Sequence, residues 1–376
     1  MATTIRQFLQ TARKALLAPA SERSTPYTFV VGNESADLDS LCSALVFAYL
    51  RSNASPRTLH IPLSNLPRAD LALRPEMDAV LACANISSSD ILTLSELPDL
   101  RPEEARFLLV DHNKLTGALS KYQGQVTGCI DHHVDENAVP KDAKPRVIET
   151  CGSCMSLIVN ECRDIWKEVA AESETIAKLA LAPILIDTIN MEDKQKVRDQ
   201  DRHAVKFLEE KVGSDYARGD FHSRIAEVKE DIAGLSLRDV FRKDYKEWIE
   251  GDLRLGISCV VQDLGYLIEK GEGSADKMLE EFAKWSEEKE LDVTSIMTTS
   301  SPDGVFQREL LVWGKTQKGV EAVRQFMGIN EGLKLKQYKG GQLDDGKTRI
   351  AWKQENLAAS RKQVAPLLRE AVQKVS

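Results

Sequence analysis

The sequence has no long apolar run. None of its stretches approaches the roughly 20 consecutive apolar residues that a membrane-spanning helix requires, so no membrane span is expected. With 42% hydrophobic and 29% charged residues, the composition is that of a soluble globular chain. A disulfide framework is also missing. The seven cysteines, Cys42, Cys83, Cys129, Cys151, Cys154, Cys162 and Cys259, are odd in number and irregularly spaced, which suits a reducing compartment. Cys151 and Cys154 form a lone C-x-x-C with no second pair, better read as a strand–helix junction than as a zinc site. No G-x-x-x-x-G-K-[ST] occurs, which argues against a nucleotide P-loop. There is no series of aromatic and basic residues on which single-stranded nucleic acid could stack. Internal repeats and low-complexity tracts are absent too. The first 21 residues hold no acid, and Arg6, Arg13 and Lys14 precede Glu22. That is a weak transit-peptide pattern. An amphipathic helix with Phe8, Leu9, Ala12, Leu16 and Leu17 on its apolar face explains the segment better.

Histidine is scarce as well, six in the whole chain, yet two are adjacent in Ile130-Asp131-His132-His133-Val134-Asp135. Three other stretches follow the same plan, an apolar run ending in Asp. They are residues 28–40, with Asn33, Asp37 and Asp39; residues 107–113, with Asp111 and His112; and residues 183–190, with Asp187. Such runs read as buried parallel strands, and open α/β sheets carry their function at the carboxyl ends of their strands. Asp37, Asp39, Asp111, His132 and Asp187 would then converge on one crevice. Several carboxylates sharing a small site need cations to offset their repulsion. Oxygen ligands with one or two imidazoles suit Mn2+, Mg2+ or Co2+. Two such ions, about 3.5–4 Å apart, are suited to displacement at phosphorus.

Strand patterns at 27–32, 58–63, 107–110 and 126–130 alternate with helical ones at 41–48, 75–86 and 154–168. Ser40 is a candidate N-cap for the first of these helices. The alternation predicts a doubly wound, mainly parallel sheet. A charged helical stretch follows from about 190 to 212. The domain reading is residues 1–211, a linker at 212–223 and a smaller α/β unit at 224–376. That unit should have helices near 224–233 and 277–289, strands at 255–261, 292–299 and 309–313, and a turn-rich connection at 339–348. Charge is uneven. Residues 305–376 carry +7, so the preceding part carries −15 of the −8 total. An acidic, metal-binding part followed by a basic one suits a polyanionic substrate.

The stretches GNESADLDS (32–40), VDHN (110–113), IDHHVDE (130–136) and LIDT (185–188) resemble the four motifs of the DHH phosphoesterase superfamily. Family II pyrophosphatases, exopolyphosphatases and prune-type phosphodiesterases belong to it. The first motif, with LPRADLALR (66–74), GSCMSLI (152–158), RKDYKEW (242–248), RELLVWG (308–314) and ASRKQVAPLLREA (359–371), is most similar to the fungal exopolyphosphatase form. The resemblance implies a DHH domain followed by a DHHA2 domain, with the active site in the cleft between them. It implies two divalent cations: one on Asp37 and Asp111, the other on Asp39, Asp111, His132 and Asp187, with Asp111 bridging. His133 would contact a phosphate oxygen or the leaving group. His112 would be an orienting group or face solvent. Arg361, Lys362 and Lys246 match phosphate ligands of the pyrophosphatases, and Arg308 is a further candidate. Asn33 stands where pyrophosphatases have His. An amide is a weaker ligand, so the first site would shift toward Mg2+ or an exchangeable Mn2+, or stay depleted. The implied activity is release of orthophosphate from polyphosphate ends by a cytoplasmic monomer, with a mitochondrial pool as the alternative location. The runner-up activity is that of a manganese-dependent pyrophosphatase or a prune-type enzyme. A decayed binding protein and a single-strand exonuclease complete the alternatives.

Overall fold

The four apolar runs expected to be strands lie side by side. A computed structural model describes residues 3–346 and 348–376, and the chain divides into two units between Lys229 and Glu230. The first contains α1 (Ile5–Leu16), β1 (Tyr27–Val31), α2 (Leu38–Asn53), β2 (His60–Leu63), α3 (Pro75–Leu81), β3 (Ala105–Val110), β4 (Val126–Asp131), β5 (Arg146–Ile148), α4 (Cys154–Glu161), α5 (Ser173–Asp187), α6 (Asp199–Glu209) and α7 (Arg218–Glu230). Its sheet has the order β2-β1-β3-β4-β5, and every pair is parallel. The chain leaves β1 for β2 on one side and returns to β3 on the other. The carboxyl ends of β1 and β3 therefore form a topological switch point. Register aligns these ends: Val31 lies opposite Leu63 and Leu109, and Val110 opposite Ile130.

Both sheet faces are covered. One core joins Val30, Leu108, Val110 and Ile130 to α2, α4 and α5. The other joins Phe29, Val31, Phe107 and Leu109 to Leu115, Leu119 and Tyr122. Alternate strand residues feed opposite cores because side chains alternate across a strand. α2 is buried almost all round, as expected of a helix wedged between a sheet and other helices. α1 buries Ile5, Phe8, Leu9, Ala12 and Leu16, whereas Leu17, assigned to that face from sequence, is exposed.

Three local readings are corrected. Residues 183–187 are the last turns of α5, not a strand. Ile176, Ala177 and Leu179–Leu185 are all buried, and a fully buried helix has no polar face to reveal its period. The N-cap of α2 is Asp37, whose Oδ1 accepts from Ser40 N at 3.0 Å. The expected linker at 212–223 is helical from Arg218 onward, because Phe221 and Ile225 pack into the first unit's core. The division consequently falls at 229/230.

The second unit contains α8 (Leu237–Lys243), β6 (Tyr245–Glu250), β7 (Leu253–Val260), α9 (Leu264–Lys270), α10 (Ala275–Glu288), β8 (Val293–Thr298), β9 (Glu309–Gly314), α11 (Gln317–Met327), β10 (Leu335–Gln337), β11 (Arg349–Gln354) and α12 (Arg361–Gln373). Its sheet, β10-β11-β9-β8-β7-β6, is mixed; only β7 and β8 pair in parallel. α11 and α12 cover one face, over Ile257, Met297, Leu310 and Trp352. α8, α9 and α10 cover the other, over Val260, Ile296, Leu311 and Ala351. The expected turn at 339–348 joins β10 to β11; Lys347 within it lies outside the described residues.

The 66–74 segment is held by Arg68. Its Nε meets Glu96 Oε1 at 2.5 Å, and its Nη groups donate to the Ser88 and Ile91 carbonyls. Burial pushes the Glu96 carboxyl up, but the bonds from Arg68 and Thr93 outweigh this and bring it from 4.5 to about 2. A carboxyl depressed by folding stabilises the native state above its unfolded pKa and stops doing so as pH falls through the folded one. Glu96→Gln is therefore expected to lower unfolding free energy at pH 7 by roughly 1–3 kcal/mol. The difference from the unmutated protein should shrink as pH falls from 4.5 toward 2. Urea titrations at pH 7, 4 and 3 check this, and a difference constant across them would show that charge plays no part.

Candidate metal centre

Asp111 follows β3 directly and takes a left-handed conformation, φ 62°. It is 2% exposed. An L-residue other than Gly, Asn or Asp is strained there, and the surroundings hold it. Its N–H donates to the Ile130 carbonyl at 3.1 Å and lies 3.2 Å from Cys154 Sγ. Its Oδ2 accepts from Ser40 Oγ and from Asn33 Nδ2, both at 2.6 Å. Its Oδ1 lies 3.2 Å from His132 Nε2 and 3.8 Å from His133 Nδ1. Burial alone would raise the Asp111 carboxyl, but the bond with His132 and the charges of both histidines hold it well below the ordinary range.

The two histidines step off β4 and are held differently. His132 is buried, with Nδ1 3.1 Å from the Cys151 carbonyl. A carbonyl only accepts, so the proton sits on Nδ1 and Nε2 is directed to Asp111. His133 is half-buried, with Nδ1 2.7 Å from Asp131 Oδ1. Asp131, fully buried at the end of β4, also accepts from Asn113 Nδ2 at 2.6 Å. Atoms of Asp111, His132 and His133 that can ligate a metal lie within 4.8 Å of one another.

Asp39, in the first turn of α2, presents its carboxylate to the N-terminus of α4. Its Oδ2 accepts from Cys154 N at 2.7 Å, and its Oδ1 from Met155 N at 3.1 Å and Ser43 Oγ at 3.1 Å. Burial, then the negative charges of Asp111 and Asp187, push its carboxyl well above the usual range; His132 opposes and Asp37 adds to the push. The five carboxylate and imidazole ligands expected from sequence thus share one electrostatic neighbourhood. Asp111, His132 and His133 are in direct proximity, Asp39 is anchored on a helix end, and Asp37 and Asp187 are half-buried. Asn33 adjoins Asp111. Its Nδ2 donates to Asp111 and its Oδ1 accepts from Ser35 N at 2.8 Å, so it fixes the Asp111 carboxylate. His112 donates Nδ1–H to the Val110 carbonyl at 2.9 Å.

Close packing supports these groups. A Cβ on Gly152 would lie 2.5 Å from Thr188 Cγ2. Only glycine lets the start of α4 approach the turn after Asp187 so closely. Asp201, fully buried, accepts from Gly152 N at 2.9 Å and Ser156 Oγ at 2.6 Å. Ala36, and Ile189, Asn190 and Met191, also have positive φ, so strained backbone adjoins Asp37 and Asp187. Such strain gathers at functional sites. Cys151 and Cys154 are thiol donors to the Ser153 and Ile130 carbonyls. Burial raises both thiols, which suits the junction reading rather than zinc. Ser40, Asn113, Asp131 and Asp201 carry no site role in the sequence reading. Asp131 and Asn113 stood beside marked residues; Ser40 carried the wrong role; nothing local pointed to Asp201.

In the second unit, Arg361 opens α12 and donates to the Asp244 carbonyl at 3.2 Å and to Asp244 Oδ1 at 2.8 Å. Lys246 and Arg308 are half-buried, and Lys362 is exposed.

Residues able to ligate a metal, Asp111, His132 and His133, thus gather at the switch point of a parallel sheet that is followed by a mixed α/β unit. The N-terminal domain of the DHH family matches residues 27–184, and the DHHA2 domain matches residues 223–371. A Schizosaccharomyces pombe protein named "Putative exopolyphosphatase" is 34% identical over 97% of this chain and 96% of its own length. Human "Exopolyphosphatase PRUNE1" is 28% identical over 72% of this chain and 59% of that protein. A "Manganese-dependent inorganic pyrophosphatase" of Methanothrix thermoacetophila is 26% identical over 72% of this chain and 80% of that protein. The fold resembles the crystal structure titled as a putative family II inorganic pyrophosphatase of Methanococcus jannaschii, with TM-score 0.60 and 19% identity over 92% of this chain and 99% of that one. The chain belongs to the DHH family, in the group that carries a DHHA2 domain. No helix among the described residues is long and apolar enough to cross a membrane.

Ser40 both accepts from Asn33 N, at 3.0 Å, and donates to Asp111. Ser40→Ala should leave a buried N–H without its acceptor and cost about 1–3 kcal/mol. Urea unfolding would show it; unchanged stability would mean that neither bond holds in solution.

Proposed function

We propose that the protein is an exopolyphosphatase that hydrolyses the terminal phosphate of inorganic polyphosphate and releases orthophosphate. The observation that carries this is the grouping of buried Asp111 and His132 with half-buried His133, in a chain 34% identical to the fission-yeast protein along nearly its whole length. The donor set fits divalent cations. His132 directs Nε2 at the Asp111 carboxylate, and Asp39 is pushed toward its neutral form first by burial and then by the acids around it. Positive charge among these groups would relieve both. Oxygen-rich ligation with imidazole suits Mn2+ or Mg2+, with Co2+ as a further candidate. Asp37, Asp39, Asp111, His132 and Asp187 would hold two such ions. When bound, these ions supply charge neutralisation at the phosphoryl group and acidify water.

The chain's own residues do the remainder. Asp111 is kept ionised and oriented by Ser40 and Asn33. Asp131 fixes the Nδ1 proton of His133, so Nε2 is the atom that meets a phosphate oxygen or passes a proton to the leaving group. Arg361, held on Asp244, offers a planar fork to phosphate, and Lys246 and Lys362 offer point charges. Neutralising phosphoryl oxygens in this way is the main catalytic task in phosphoryl transfer. The seven thiols are all free, which supports a cytoplasmic setting, and a monomer acting on polyphosphate rather than nucleic acid is the form this reading takes. A pyrophosphatase is the second reading, favoured by the fold likeness and opposed by the use of Asn33 inside the site.

Orthophosphate release from pyrophosphate, tripolyphosphate and long polyphosphate under Mg2+, Mn2+ and Co2+ tests the proposal. The polyphosphates should be cleaved well and pyrophosphate poorly; the reverse order would assign the second reading. Asp111→Ala should abolish turnover, and more than about a tenth of the original kcat, a loss of only ~1.4 kcal/mol, would rule out its central role.

Charge-assisted contacts contribute roughly 1.5–3 kcal/mol each. Arg361→Ala should thus lower kcat/KM about 10- to 150-fold on tripolyphosphate and long chains alike, with an unchanged circular dichroism spectrum. Unaltered kinetics would remove Arg361 from the site.

A further inference from the structure

Several candidate metal ligands lean on one short segment, residues 151–156 at the start of α4. The Cys151 carbonyl lies 3.1 Å from Nδ1 of His132. Cys154 N and Met155 N donate to the two Asp39 oxygens at 2.7 and 3.1 Å. Cys154 Sγ accepts from Asp111 N at 3.2 Å and donates to the Ile130 carbonyl at 3.2 Å. The segment also packs on the turn after Asp187, since a Cβ on Gly152 would lie 2.5 Å from Thr188 Cγ2. A shift of this segment therefore moves Asp39, Asp111 and His132 together.

The segment is itself held from α6. Asp201, in the first turn of that helix, is fully buried. Its Oδ2 accepts from Gly152 N at 2.9 Å and from Arg198 N at 2.7 Å, and its Oδ1 accepts from Ser156 Oγ at 2.6 Å. The Arg198 bond closes the start of α6, an ordinary use of a side chain at the third helical position. The other two bonds go beyond that use: they clamp the segment near both of its ends. Burying a carboxyl is costly unless its oxygens are satisfied, and here both are. None of the three donors belongs to a candidate metal ligand, so Asp201 reaches the metal centre through the segment. Supporting residues of this kind decide whether ligands stay within about 0.5 Å of the geometry an ion requires.

We propose that Asp201 is a positioning residue of the metal centre: by clamping residues 151–156 it places Asp39, Asp111 and His132, and so sets the affinity of the centre for a divalent cation. This rests on the metal use proposed above. The property that matters is placement. Two N–H groups reach one oxygen of Asp201 and a hydroxyl reaches the other. An amide serves the same three partners, its oxygen accepting from both N–H groups and its NH2 donating to Ser156 Oγ. A methyl group serves none of them. Asp201→Asn therefore keeps the clamp and removes the carboxylate, whereas Asp201→Ala removes both.

The test titrates Mn2+ into the full-length protein without substrate and counts the free ion by electron paramagnetic resonance. Asp201→Ala should bind Mn2+ about 10-fold more weakly, the low end of the loss seen when groups supporting metal ligands are removed. Asp201→Asn should stay within about three-fold of the unmutated protein. Ser156→Ala, which leaves both N–H bonds in place, should fall between the two, and it carries the test should Asp201→Ala not fold. Glu96→Gln, expected to lower the stability of the same unit, lies outside the segment and should bind Mn2+ within about two-fold of the unmutated protein. In EDTA, hydrogen-exchange mass spectrometry should show the 151–160 peptide of Asp201→Ala exchanging about 10-fold faster than that of Glu96→Gln. Unchanged affinity in Asp201→Ala and Ser156→Ala, or a loss in Glu96→Gln as large as theirs, would overturn the assignment. An equal loss in Asp201→Asn and Asp201→Ala would overturn it too, since charge rather than placement would then be at work. Should the unmutated protein bind no Mn2+, the metal reading falls, and the exchange of the peptide in EDTA still decides whether Asp201 holds the segment.

Discussion

A single buried carboxylate, that of Asp111, sets the terms for the first unit. It is excluded from solvent at the end of a central strand, where an unpaired charge is costly. Four side chains answer that demand: Ser40 and Asn33 at Oδ2, His132 and His133 near Oδ1. They come from two segments, after β1 and after β4, that the parallel sheet delivers to one edge. The left-handed turn at Asp111 is what swings its carboxylate among them. Each partner has a second anchor: Ser40 on Asn33 N, His132 on the Cys151 carbonyl and His133 on Asp131. The site is rigid because its supports are themselves bonded.

The same economy of charge explains the division between Asp111 and Asp39. Both are buried acids in one neighbourhood, yet one is held ionised and the other is pushed toward its neutral form. Asp111 has imidazoles beside it; Asp39 has backbone amides and repelling carboxylates. Two environments thus separate two identical side chains, as happens wherever carboxylates are crowded. In the second unit Arg361 is paired with Asp244 at 2.8 Å, a cation and a carboxylate that hold one another.

The fold of the first unit was largely legible. Strands at Tyr27–Val31, Ala105–Val110 and Val126–Asp131 are visible as apolar runs leading into acids, His60–Leu63 as an apolar run alone, and their parallel arrangement follows from intervening helices. The run ending at Asp187 was misread because Pro183 and its apolar neighbours are buried all round in α5, which erases the helical period. The start of the Arg218–Glu230 helix reads as a linker in the sequence because two buried residues, Phe221 and Ile225, make only a faint stripe.

The sequence by itself determined which residue types stand at the strand ends: Asn33, Asp37 and Asp39 after β1, Asp111 after β3, His132 and His133 after β4. It determined too that acids dominate early and bases late. Those features are local, and composition or a resemblance of motifs reads them directly. Only the tertiary structure decided what each group does. Ser40 bonds Asp111 across 71 residues, and Asp39 accepts from Cys154 across 115. Asn33 points its amide at Asp111 instead of standing as an open ligand, and Asp201 ties the start of α4 to α6. Partners so distant in the chain leave no local pattern. They meet because parallel strands with right-handed crossovers bring remote loops to one sheet edge, where each buried polar atom has to find its partner.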